Sequence, residues 1–119
     1  MTGTVQPGAV VLVEFPEHHP SGHEQEGRRP AVILSIPQAT RFPVVMVLPM
    51  TTADGAWVKR GKDAYLQLTK GQGGIKEPSV LLLDQLRAIG PERVLRIWGD
   101  LPAESFDRIK ARVRSFLSL

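Results

Sequence analysis

The chain contains no cysteine. That excludes a disulfide framework and any thiolate chemistry, and it fits a reducing compartment. Aromatic residues make up only 6% of the chain, too few for a module that holds nucleic acid mainly by stacking bases along a strand face. Long apolar runs are also missing. Ala9–Val13 and the proline-interrupted Val44–Met50 are the longest, far short of the ~20 residues a membrane-spanning helix needs. Met1 to Gln6 has neither the basic head nor the apolar centre of a secretory signal. These absences predict a cytoplasmic chain with no membrane partner. The three histidines, His18, His19 and His23, fall in one loop without a second ligand pair at motif spacing, so no metal or other cofactor is predicted. Charge is only mildly one-sided, at +3 with a basic pI. Such a balance is compatible with a nucleic acid or an acidic protein as partner and selects neither.

What is present is one domain of ordinary size, spanning residues 1–119. Short apolar runs punctuated by Pro and Gly predict strands at Ala9–Phe15, Pro30–Ile36, Val44–Thr51, Ala64–Thr69, Val80–Ile89 and Val94–Trp98. Thr52 to Lys62 reads as a polar loop with an exposed Trp57. Lys70–Gly74 reads as a turn, because no Gly-Lys-Ser/Thr and no helix follow to make it a phosphate-binding loop. Pro102 suits the first position of a helix running to about Leu117, with Phe106, Ile109, Val113, Phe116 and Leu117 on its core face. The predicted class is α+β, mainly β: a small, strongly bent antiparallel sheet with a C-terminal helix packed on it.

The segment Gly22 to Ser35, GHEQEGRRPAVILS, organises the rest. Its first half is polar and reads as a loop carrying a histidine, two carboxylates and two arginines. Its second half is a short β-branched run and reads as a buried strand, with Pro30 at the join. Binding and catalytic groups concentrate on loops anchored to such scaffold.

Gly-x-Glu-Gln-x-Gly-x-Arg-Pro before an apolar strand resembles the opening motif of the MazF/PemK toxins, which are bacterial endoribonucleases. Val47-Leu48-Pro49-Met50-Thr51-Thr52 is similar to that family's second motif, a strand closing on threonine. Ser79 to Ile89, where a buried strand runs into Asp84-Gln85-Leu86-Arg87, is similar to its third. The resemblance covers Gly8 to Leu119. It implies an SH3-like barrel, a homodimer formed through a strand and the C-terminal helix, and the toxin role of a type II toxin–antitoxin system. The implied activity is metal-independent, sequence-specific cleavage of single-stranded RNA to a 2′,3′-cyclic phosphate and a 5′-hydroxyl. The implied partner is a small MazE-like antitoxin whose acidic tail covers the basic loop.

Cleaving RNA without a metal needs a base for the 2′-hydroxyl, donors or cations for the phosphorane, and an acid for the leaving 5′-oxygen. Arg29, immediately before the proline, corresponds to the family's catalytic arginine, and a guanidinium suits bidentate phosphate contact. Thr51 corresponds to its catalytic threonine. Thr52 faces the other way, because one step along a strand reverses the side chain. His23 stands where the PemK-like branch has a histidine and titrates in the useful range. Asp84, at the end of a strand read as buried, corresponds to that branch's aspartate base. Alternatively it is a structural partner of Arg87 or of a backbone amide. Leu82 stands where that branch has an arginine, so the choice between His23 and Asp84 as base or acid stays open. Glu24, Gln25, Arg28, Thr52, Gln85 and Arg87 complete the candidate substrate-binding set, with Gln85 suited to a base edge. Two rival readings share the fold: a non-enzymatic gyrase inhibitor like CcdB, and an SH3-like nucleic-acid-binding module. The Arg-Pro and threonine motifs speak against the first, and the scarcity of aromatics against the second.

Overall fold

The computed structural model describes residues 4–17, 27–52 and 55–119. Within them, strands β1 (Ala9–Phe15), β2 (Gly27–Ser35) and β3 (Val45–Thr51) form an antiparallel meander. A short helix α1 (Ala56–Arg60) leads to β4 (Tyr65–Leu68), then β5 (Ser79–Leu82), β6 (Arg87–Ile89), β7 (Val94–Asp100) and helix α2 (Ala103–Leu117). Strand order is β4-β5-β3-β2-β1-β7, with β6 also paired to β3. The seven strands thus make one bent antiparallel sheet, barrel-like but not closed, since β4 and β7 end the path without pairing to each other.

Alternation along the strands sorts the core into two faces. Ala9, Val11, Val13 and Phe15 of β1 pack with Ala31, Ile33, Val45, Val47 and Ile89. Val10, Val32, Leu48 and Met50 point the other way and meet Leu66, Leu81, Leu83, Ile109 and Val113. Helix α2 therefore covers only the second face. Gly73 lies in the turn after β4, and a Cβ there would run into the Val10 side chain, so this turn packs directly on β1.

β3 changes partner midway along one edge. Val45–Val47 pair with β6, and Met50–Thr51 pair with β5. Between them lies Pro49, which has no N–H to give a neighbour. This switch carries the end of β3 away from β6 and leaves Thr51 at the mouth of the bend.

Several sequence expectations are corrected. β2 starts three residues before Pro30, so Arg28 and Arg29 sit on a strand and not on a loop. β1 runs on to Phe15 and supplies Glu14 and Val13 as their partners, which overrides the loop-like composition. The run Val80–Ile89 is two strands separated by a 3-10 turn at Leu83–Gln85. Residues 56–60 form α1 and Trp57 is half-buried. Pro102 caps α2 rather than opening it. Leu117 is 42% exposed, off the core face that Ile109 and Val113 form.

Candidate active site

Arg29 pairs with Val13, a fully buried residue of the first core face. Arg29 therefore belongs to that face, two residues before Ala31, while its own side chain is exposed at the sheet's end. Ala31 pairs with Pro49, the last pair of the β2–β3 ladder. Thr51 lies two residues beyond Pro49, as Arg29 lies two residues before Ala31. Both residues thus share one face at one end of the sheet. Arg87 joins them, because it pairs with Val47 on that same face. Its guanidinium lies 5.5 Å from the centroid of Phe15, a ring that is only 2% exposed. The buried ring fixes where this second cation sits. Two guanidinium groups and a half-buried threonine hydroxyl are set around the rim of one apolar core, an arrangement suited to an anionic centre.

The doublet Arg28-Arg29 is split by strand alternation, whereas Thr52 follows the last residue of β3. Arg28 pairs with Glu14, and the two exposed side chains approach to 3.8 Å. Such a solvated pair contributes little to stability. Thr52 is exposed and lines a groove of about 670 Å³ together with Gln67, Thr69, Lys70, Glu77 and Ser79. Arg28 therefore does not share the face of Arg29 and Thr51, and Thr52 lies just past the end of β3, on a groove that Val80, the partner of Thr51, also lines.

Asp84 is exposed in the 3-10 turn and is not at the end of a buried strand. Among the described residues, the Tyr65 hydroxyl donates to Asp84 Oδ2 at 2.7 Å. Tyr65 in turn meets the Trp57 ring edge-on, with centroids 4.8 Å apart. Gln85 is half-buried in the same turn. His23, Glu24 and Gln25 lie outside the described residues. Sequence reading missed Tyr65 as a site residue, although its place on the polar side of an alternating strand was visible.

The phenol of Tyr65 is held above its ordinary pKa of 10.0, first by the hydrogen bond to Asp84, then by burial, then by the carboxylate's charge. A raised folded pKa means that this contact supports the fold fully below pH 10 and loses that support as pH rises through the folded value. The chain has one tyrosine, so tyrosinate absorbance reports on Tyr65 alone. The expected midpoint is above 10.0 in the native protein and moves down toward 10.0 in Asp84→Ala. Equal midpoints in the two proteins would show that the hydrogen bond does not hold the phenol in solution.

With the geometry in place, comparison with known proteins is decisive. Residues 6–117 match the family model described as PemK-like, MazF-like toxin of type II toxin–antitoxin system. The chain belongs to the PemK/MazF family. A Mycobacterium tuberculosis protein that carries a provisional toxin name is 36% identical over 101 residues, covering 85% of this chain and 81% of that one. Among solved structures, MazF from Deinococcus radiodurans superposes with a TM-score of 0.69 at 23% identity, covering 100% of this chain and 99% of that chain. The M. tuberculosis toxin MazF-mt6 gives 0.67 at 18% identity, covering 93% and 97%. A mycobacterial endoribonuclease solved with its cognate antitoxin gives 0.65 at 14% identity, covering 96% and 93%. These neighbours share the PemK/MazF fold with the present toxin. Among the described residues, no helix of this PemK/MazF toxin is long and apolar enough to cross a membrane, and no three His, Asp or Glu side chains gather to hold a metal ion.

Proposed function

We propose that this PemK/MazF toxin is an endoribonuclease that cuts single-stranded RNA by internal attack of the 2′-hydroxyl, without a metal. The observation that carries the reading is the common placement of Arg29, Thr51 and Arg87 on one face at one end of the sheet. Arg29 is exposed and keeps its charge throughout, so it serves as the main cation for the phosphorane. Thr51 donates its hydroxyl to the scissile phosphate, and Arg87 supplies the second cation. Gln85 reads a base edge. His23 and Asp84 divide the proton transfers, with Tyr65 orienting the Asp84 carboxylate. Glu24, Gln25, Arg28 and Thr52 contact the flanking substrate. The products are a 2′,3′-cyclic phosphate and a 5′-hydroxyl, and the sequence specificity comes from the strand ends and the 18–26 segment. In the bacterial cytoplasm the toxin works as a homodimer and is silenced by a MazE-like antitoxin whose acidic segment covers Arg28 and Arg29.

The direct test is incubation of purified protein with a defined RNA in EDTA, followed by mapping of both ends. Cyclic phosphate and 5′-hydroxyl termini at discrete sites are expected. A persistently intact RNA, or cleavage only after Mg²⁺ is added, would refute the activity or its mechanism.

The two threonines provide a second test. Thr51→Val removes a hydroxyl bonded to a charged phosphate, a contact worth about 1.5–3 kcal/mol, so cleavage is expected to slow by roughly ten- to a hundredfold. Thr52→Val, just past the end of β3, is expected to stay within a few-fold of the parent. Single-turnover rates at saturating protein distinguish them, and the reverse order would move the reacting centre from Thr51 to Thr52.

A further inference from the structure

The geometry points to a second anion site on this toxin, a groove that takes the sugar–phosphate backbone of single-stranded RNA beyond the cut. This inference rests on the endoribonuclease reading. The groove, about 350 Å³, lies between α1, β4 and α2. Four cations line it: Lys59, Lys62, Arg108 and Arg112. No carboxylate lines it, and among the described residues none of the four makes an ion pair. Arg112 is pinned from one side, because its Nη1 donates to the Lys62 carbonyl at 2.6 Å. Lys59, Lys62 and Arg108 are exposed. Four like charges gathered with no carboxylate in the lining, the Asp84 carboxylate standing behind the Tyr65 hydroxyl, disfavour one another unless an anion joins them.

Three observations favour a phosphodiester strand over other anions. The first is continuity. Thr51 pairs with Val80, and Val80 pairs with Gln67. Gln67 lines both the Thr52 groove and the basic groove. Two strand spacings, about 10 Å, thus separate Thr51 from the point where the basic groove begins. The second is the Tyr65 ring, which lines the groove and is half-buried, with a side available to a base. The third concerns an acidic amphipathic peptide, which needs an apolar floor. The two aliphatic residues lining the groove, Val58 and Leu66, are only 6% and 7% exposed, so little such floor exists. Cations beside one ring, with little exposed aliphatic surface, match the backbone and bases of a single strand.

The test uses full-length protein and RNA made uncleavable by deoxyribose at the cut. One oligonucleotide is confined to about four residues around the cut, and two others extend about six residues to one side or the other. Lys59→Gln combined with Arg108→Gln changes exposed side chains and keeps their stems. Lys110→Gln serves as control, because Lys110 lies outside the groove and pairs with Asp107 at 3.3 Å. For one extended oligonucleotide, the double variant is expected to lose about tenfold or more in affinity at ~0.1 M salt, with the salt slope smaller by roughly 1.4. The short oligonucleotide and the control variant are expected to show no change. No loss on either extended strand, or equal losses on short and extended strands, would overturn the groove as a backbone site. So would a change in the molecular mass of the double variant, which would make the groove an interface between copies, or a loss of affinity for an acidic peptide alone. Wild-type protein that cleaves ordinary short RNA but shows no length dependence sinks this inference and leaves the endoribonuclease reading standing. Protein that binds the extended strand through the groove yet never cleaves does the reverse, and protein that binds no RNA overturns both.

Discussion

Replacing Arg29 by alanine is expected to slow RNA cleavage by about 10²–10³ while leaving the fold unchanged. The chemical side of this expectation comes from the loss of a fixed charge at the developing phosphorane, where no water molecule can supply an equivalent. The structural side comes from where Arg29 sits. Its backbone belongs to the β1–β2 ladder, opposite Val13, and that pairing does not depend on the side chain. The side chain itself is exposed, so its removal opens no cavity. Arg28→Ala is the matched comparison, since it removes the same charge from the adjacent residue on the other face. Rates for both variants, each checked by circular dichroism and thermal melting, separate the two positions. A folded Arg29→Ala protein with activity within a few-fold of the parent would remove Arg29 from the mechanism.

An RNA carrying deoxyribose only on the 5′ side of the cut is expected to bind and to remain intact. If Arg29, Thr51 and Arg87 stabilise a phosphorane formed by internal attack, the nucleophile belongs to the substrate, and deleting it stops the reaction outright. Binding survives because phosphate contacts supply most of the affinity for a nucleic acid and do not require that hydroxyl. The measurements are end-mapping of the labelled strand and anisotropy of the same molecule, both in EDTA. Cleavage at the substituted bond would identify water as the nucleophile, and the roles given to His23 and Asp84 would then have to be redrawn.

The contrast between β1 and β2 shows what the sequence makes legible. Ala9–Val13 is apolar on both faces, and the predicted strand bounds Ala9–Phe15 match the observed ones. Arg28 and Arg29 look like loop residues by composition, and only the far-off Glu14 and Val13 draw them into a strand. Tertiary pairing of that kind leaves no local trace. Asp84 presents the same difficulty in another form. Apolar character continues from Val80 through Leu83 and alternation resumes afterwards, so nothing in the pattern marks the 3-10 turn that brings the carboxylate out to Tyr65. Helix α1 is five residues long and starts after Gly55 without a side-chain cap, so neither of the usual start signals is present. The place of Thr51 at the end of an apolar strand, in contrast, is legible from the pattern, and the ladder with β5 holds it there.

β1 bonds on one side to β2, the next strand made, and on the other to β7, among the last. The carbonyl of Gly8 accepts the Leu101 N–H at 2.9 Å, and the ring of Phe106 lies over Gly8. As the chain leaves the ribosome, the β1–β2–β3 meander is available early, yet the outer edge of β1 stays bare until residues 94–106 have emerged. Until β7 has been made, a nascent toxin is therefore an unfinished sheet with an open, strongly apolar border, the condition in which strands recruit the wrong neighbour. Completion of the first strand waits on β7, some eighty residues further along the chain.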